Sequence, residues 1–175
     1  MVQDILRLIT APTRLPAPIL PERLHQLFRL LASWPAERAD TIEDMIWSLW
    51  MYHPHRAAAT ALQRATDDIA AQRYDIAETR LALLLRSRPD FPEAWNKRAT
   101  LFYMQQRDDE CLLDIQRTLE LEPRHFGALS GFGEICLGRG DREGALLAFR
   151  AALRVNPHLK EVAASCERIE ADLRA

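Results

Sequence analysis

Glycine is scarce in this 175-residue chain, with six in all, and cysteine is scarcer, with three. With so little glycine and hardly any strand-like alternation, against abundant Ala, Leu, Arg, Glu and Gln, the composition reads as all-helical. Cys111, Cys136 and Cys166 are odd in number and lack CxxC spacing, so they read as reduced, buried thiols serving as small apolar residues. Long apolar runs are also missing. Stretches such as Leu81–Leu85 fall far short of the roughly 18 residues that a membrane span needs. Asp4 and Arg7 interrupt the apolar N-terminus and make a poor secretory signal, so a cytoplasmic location is expected, or a periplasmic one if a leader has been removed. Neither sign of charge dominates: the net charge is −2, which gives no global field favouring nucleic acid or an acidic membrane.

Enzyme signatures are absent as well. There is no GxSxG, no HExxH and no glycine-rich phosphate loop. The paired acids Asp67-Asp68 and Asp108-Asp109-Glu110 fall at expected helix ends on a solvated surface, so no catalysis is expected. His53-Pro54-His55, with His25 elsewhere, lacks helical i,i+4 spacing and a completing Cys or carboxylate, so no metal and no cofactor are expected. Arg139-Gly140-Asp141 reads as a bend between helices.

What is present is a period. Pro89, Pro123 and Pro157 stand 34 residues apart, and Ala77, Cys111 and Ala145 keep step upstream of them. So do Leu81, Ile115 and Phe149, and so do Ala65, Ala99 and Gly133. A fixed period of this length means one supersecondary unit stacked on copies of itself. Each unit splits into two helices of about a dozen residues around a polar turn: Gln72–Asp75, Gln106–Asp109 and Gly138–Asp141. The proline at each repeat's end is expected to start the next unit, where a missing amide proton costs little.

Three units follow: 58–91, 92–125 and 126–159. Beyond them, residues 160–175 carry Val162, Ala163, Cys166, Ile169 and Leu173 on one stripe and Glu161, Glu167, Arg168 and Glu170 around it, as a capping helix should. Residues 1–57 read as an N-terminal helical cap with a proline-rich connector. Helices are expected over Val2–Thr10, Glu22–Ser33 and Ala36–Tyr52, with Pro12, Pro16, Pro18, Pro21, Trp34-Pro35 and Pro54 as stops. Trp47 and Trp50 would hold the apolar slots of a second helix in a decayed preceding unit. The first helix of such a unit would have to run through Trp34-Pro35, so the segment reads as a cap divergent from the repeats.

These residues resemble the tetratricopeptide repeat (TPR) family. Trp95, Ala99, Phe102, Cys111, Ile115 and Pro123 fit its pattern in the second unit; Leu129, Gly133, Ala145, Phe149, Ala152 and Pro157 fit it in the third. The first fits at Ala61, Ala65, Ala77, Leu81 and Pro89 but departs at Asp68 and Leu84. The resemblance implies an all-α solenoid of about three helix–turn–helix repeats between the two caps. As a core residue, Trp95 cut to Ala should then cost about 3–5 kcal/mol.

The resemblance also implies a concave surface lined by the first helix of each repeat, binding a protein or peptide partner. The residues carried onto that groove are Thr66, Ile69, Asn96, Thr100, Tyr103, Met104, Ser130, Glu134 and Leu137. Their mixture of apolar and short polar groups suits an extended or helical peptide. The clamp by which chaperone adaptors grip an acidic tail falls here on Leu62, Thr66, Lys97, Gly127 and Gly131, a single cation, so that ligand is not expected. Asn96-Lys97-Arg98 offers a small cationic contact point. The alternative function is a self-associating scaffold subunit, a homodimer through Trp34, Met45, Trp47, Trp50, Met51 and Tyr52. A third arrangement folds Val2–Leu20 into the groove as an internal ligand.

Overall fold

The computed structural model of the protein describes residues 1–11, 15–33 and 36–174, with backbone alone at Ala36 and Glu37. Pro12 and Trp34-Pro35, expected to stop helices, lie outside them. Among the described residues there are ten α-helices and no strand. They are α1 (Val2–Thr10), α2 (Arg23–Ser33), α3 (Ala36–Trp50), α4 (Arg56–Ala70), α5 (Tyr74–Ser87), α6 (Pro92–Met104), α7 (Asp108–Leu121), α8 (Phe126–Gly138), α9 (Arg142–Val155) and α10 (Lys160–Asp172). None is long and apolar enough to cross a membrane.

Helices α4–α5, α6–α7 and α8–α9 are three antiparallel hairpins in one phase, stacked through α5 on α6, α7 on α8 and α9 on α10. The period is visible in the backbone. Gln72, Gln106 and Gly140 stand 34 apart, one in each inter-helix turn, and all three have positive φ, at 57°, 59° and 78°. The residues before the three prolines are extended, with φ of −140° at Arg88, −133° at Glu122 and −128° at Asn156. This is the conformation that a following proline imposes. Pro89, Pro123 and Pro157 therefore end the preceding helix instead of starting the next. Among the described residues, Pro92 takes a first-turn position, in α6.

Close approach within each hairpin rests on the small residues. Ala65, Ala77 and Ala145 are fully buried, and a Cβ at Gly133 would overlap the Phe149 ring. The core has three parts. One joins α4, α5 and the Phe91, Ala94 and Leu101 side of α6. A second runs through α6 to α10 and includes Ile5 of α1. The third belongs to the α2–α3 hairpin.

The N-terminal helices cover the repeats from the side. Helix α1 lies across the second helices α7 and α9, burying Ile5 completely. Val2–Thr10 is thus no ligand of the first-helix groove: its apolar stripe closes the opposite face. The connector is pinned where the Ala17 N–H donates to the Leu121 carbonyl (2.7 Å) at the end of α7. The α2–α3 hairpin then seats on the start of α8, where Trp47 and Trp50 pack on His125 and Phe126. Despite its phase, α3 does not pack along α4. The α4–α5 end of the stack stays open as a cavity of about 420 Å³, lined among others by Ala57, Ala58, Ala61, Leu83 and Leu84. Phe91 and Trp95, 34 residues after Ala57 and Ala61, pack instead into the core of the first hairpin.

Candidate functional site

The face formed by the first helices α4, α6 and α8 carries all nine groove residues, but they are not equally available. Tyr103 and Met104 are about half exposed, at 47% and 48%. Thr100 and Glu134 are exposed, and Leu137 is half-buried. Ile69 and Asn96 are buried, at 9% and 7% exposed, so the first belongs to the core and the second to a covered polar cluster. Thr66, Thr100 and Ser130 each donate their hydroxyl to a carbonyl one turn earlier in their own helix, on Leu62 (3.0 Å), Asn96 (3.0 Å) and Phe126 (2.8 Å). With the hydroxyl proton spent inside the helix, all three are left with acceptor lone pairs, and the two threonines with a methyl group as well.

A cavity of about 80 Å³ opens between α6 and α8. Asn96, Thr100 and Tyr103 form one wall, Gly127, Ala128 and Gly131 the other, and Ala99, Cys111 and Ile115 also line it. Glycine makes the room: a Cβ at Gly131 would meet nothing nearer than Ile115 Cδ1, at 3.9 Å. Burial, helped by nearby Asp114 and Asp108, pushes the Cys111 thiol up to about 12. It therefore stays protonated at neutral pH and serves as an apolar surface.

Next to the cavity lies a buried polar cluster. The Ala128 N–H donates to His125 Nδ1 (3.1 Å), which assigns the proton to Nε2 and makes it the donor to Glu93 Oε2 (2.8 Å). Asn96 Nδ2 donates to the same oxygen (3.3 Å), and Lys97 Nζ pairs with Oε1 (3.1 Å). Burial is the largest influence on Glu93 and would raise its pKa. His125 and Lys97 together outweigh it and hold the carboxyl below its ordinary value of 4.5. Trp50 closes the cluster, stacked on His125 at 4.0 Å and 10° between planes. Trp47 sits on Gly127, where a Cβ would come within 2.7 Å of its ring, and Lys97 Nζ lies 5.4 Å from its centroid.

The cationic contact point is spent internally. Lys97 is held by Glu93, and Arg98 makes a two-pronged bond to Asp114 (2.7 and 2.8 Å) while lying over Trp95. Nor are the paired acids merely solvated. Asp68, standing where the other repeats have Phe102 and Cys136, is 5% exposed and accepts from Arg73 (2.6 and 3.0 Å) and Arg80 (3.0 Å). Arg139 reaches back one repeat to Asp109 (2.9 Å), and Arg107 to Glu78 (2.7 Å). Among the described residues no group of three His, Cys, Asp or Glu could hold a metal ion.

Sequence reasoning missed that α3 covers one end of this face. One signal was available: His125 occupies the slot that Phe91 and Leu159 hold in the neighbouring repeats. A titratable group in an apolar register needs a buried partner, and Glu93 supplies it.

The fold and its first-helix face define an α-solenoid of helical hairpins. The chain is 32% identical over 137 residues, 78% of its length and 67% of the relative's, to a TPR repeat-containing protein of Rhizobium etli. It belongs to the tetratricopeptide repeat family. No family model matches it. Among solved structures it is similar to the first TPR domain of Spaghetti (RPAP3), determined with the HSP90 peptide SRMEEVD. That match has a TM-score of 0.63 at 17% identity and covers 67% of this chain and 94% of the other. At that identity the likeness is one of fold.

Proposed function

We propose that the protein is a non-catalytic interaction module that holds a protein segment against α6 and α8. The observation that carries this reading is the cavity between those helices, opened by Gly131 and bordered by the half-exposed Tyr103. One apolar side chain of the partner would enter it. Met104 and Leu137 would extend the apolar contact, and Glu134 would supply an acceptor. The setting fits a cytoplasmic protein.

The partner is not an acidic C-terminal tail. Leu62, Thr66, Gly127 and Gly131 give no charge to a carboxylate, and Lys97 is already paired with Glu93. The self-associating reading loses its main support, because Trp50 is fully buried and Trp47 faces Gly127, leaving Met45 and Tyr52 as the large exposed members of that group. Trp34 lies outside the described residues.

Peptides selected by display against the wild-type protein test the proposal. Gly131→Leu fills the cavity where there is space for it and should weaken the selected peptides by about tenfold or more, since one lost apolar anchor is worth roughly that factor. Tyr103→Ala should act the same way. Selected peptides that bind both variants as tightly as the wild type would remove the groove from consideration.

A further inference from the structure

The α2–α3 hairpin is built less like part of the repeat core than like something bound to it. Its apolar interior is largely its own: Leu24, Leu27, Leu31, Ile42, Ile46 and Trp50 cluster together, and among the described residues of the repeats Phe126 joins them as a buried residue. Val155 and Leu159 pack against its edge partly buried, and polar contacts make up the remainder of the seam. Asn156 Nδ2 donates to Glu43 (2.8 Å), His158 Nε2 meets the Leu31 carbonyl (3.0 Å), and Arg124 meets His25 Nδ1 (2.9 Å). The Trp50 Nε1–H, buried in this position, finds no acceptor among the described residues, a penalty of the docked state. What anchors the hairpin is one pair of aromatic residues on one face of one helix. Trp47 lies on Gly127 and Trp50 on His125, over the same first-helix face whose open part is the cavity beside Gly131.

We propose that α3 is an internal ligand of the groove, and that the partner suited to the covered end is an amphipathic helix presenting two aromatic side chains three residues apart. The reasons are geometric. The floor at residue 127 is bare backbone, which admits a flat indole at van der Waals contact and would reject it if it carried a side chain. The flat face of His125, fixed by its two hydrogen bonds, gives the second ring a stacking platform. Lys97, fixed by Glu93, adds a cation against the first ring. Tethering by the short Met51–His55 link gives α3 a high effective concentration at this seat, so an incoming helix must compete with it. The proposal rests on the groove reading in that it names a regulator of the same face.

The test uses the full chain and a fluorescein-labelled, end-blocked peptide of residues 38–52. The wild-type protein should take the peptide up poorly. The Trp47→Ala/Trp50→Ala double variant, whose own helix no longer competes, should bind it at least about tenfold tighter, as expected when an intramolecular competitor is removed. Adding Gly127→Val to the double variant should abolish that gain. Independently of any ligand, Gly127→Val in the otherwise wild-type chain should speed amide exchange in α2–α3 by about tenfold or more while leaving α6–α9 protected. Unchanged exchange in α3, protection lost equally through α6–α9, or a double variant that binds the peptide no better than wild type would each overturn the proposal. Because exchange is read without a partner, its outcome is separate from that of the Gly131→Leu experiment.

Discussion

Gly133 and the two turn glutamines show how a single position answers to its repeat. At Gly133 a Cβ would run into the Phe149 ring, so Gly133→Ala should destabilise by about 1–3 kcal/mol, the usual range for overpacking. A urea titration measures it, and an unchanged midpoint would mean that the α8–α9 contact is slacker than described. Gln72 and Gln106 pull the other way. Each holds a left-handed conformation that its repeat-mate Gly140 adopts without steric conflict. Replacing either by Gly relieves a strain of roughly 1–2 kcal/mol against an entropy loss of about 0.5–1 kcal/mol, so a net gain of roughly 0.5–1 kcal/mol is expected in the same titration. Trp95 corrects an expectation drawn from the period alone. It is half-buried, with its Nε1 donating to the Pro89 carbonyl (2.9 Å) and Arg98 across its ring. Truncation should therefore cost less than the full-burial figure. Its phase was legible in the sequence. Its exposure was not, because the core of the first hairpin covers only part of so large a ring.

At the scale of helices, α1 and α3 are where reading and structure part. Both were legible as amphipathic segments, and Val2–Thr10 is helical over the span expected. Where each docks was not legible, since local periodicity names an apolar face without naming what it meets. For α1 the answer is α7 and α9. Ile5→Ala should cost about 2–4 kcal/mol, as at any core position, even though it lies near the start of the chain. Melting the variant beside the wild type checks this.

For α3 the seat should depend on Glu93, which holds the His125 ring that Trp50 stacks on. The folded carboxyl titrates below its ordinary value of 4.5, so its contribution is complete above that value and fades as the pH falls beneath it. Asp114 has the opposite sign: burial dominates over Arg98 and raises its pKa, so protonation eases a penalty there. Exchange protection of α3 should therefore drop as the solution is taken from about pH 6 to about pH 3.5, and Glu93→Gln should flatten that dependence. A profile unaltered by the substitution would mean that Glu93 does not govern the seat.

The whole molecule reads as a stack held lengthwise by its cores and, at the turns, by Arg107 to Glu78 and Arg139 to Asp109, each spanning two repeats. These pairs are partly exposed, and surface ion pairs of this kind contribute little singly. The solenoid was legible because period, small residues and prolines all agree on one phase. Exposure on the first-helix face was legible at Thr100, Tyr103, Met104 and Glu134, and in part at Leu137, since those positions follow from phase alone. The burial of Asn96 and Ile69 was not legible, because it comes from neighbours that the phase does not specify, although Asn96 still lines the cavity between α6 and α8. At this scale one partner class, the acidic C-terminal tail, is open to a direct test. In a fluorescence titration the peptide SRMEEVD should show no saturable binding up to about 1 mM, an affinity worth only about 4 kcal/mol. Micromolar binding would mean that cations outside the clamp positions serve a carboxylate.

The two extremities of the stack have different futures. Before α4 the ledge of Ala57, Ala61 and Leu83 remains bare, whereas in α10 Glu167 stands where Ala65, Ala99 and Gly133 let a companion helix press close. Duplication of a hairpin, by evolution or by a designer, would meet apolar surface upstream once the Met51–His55 link to α3 is lengthened; downstream it would first have to replace a carboxylate. Growth in this scaffold has a direction.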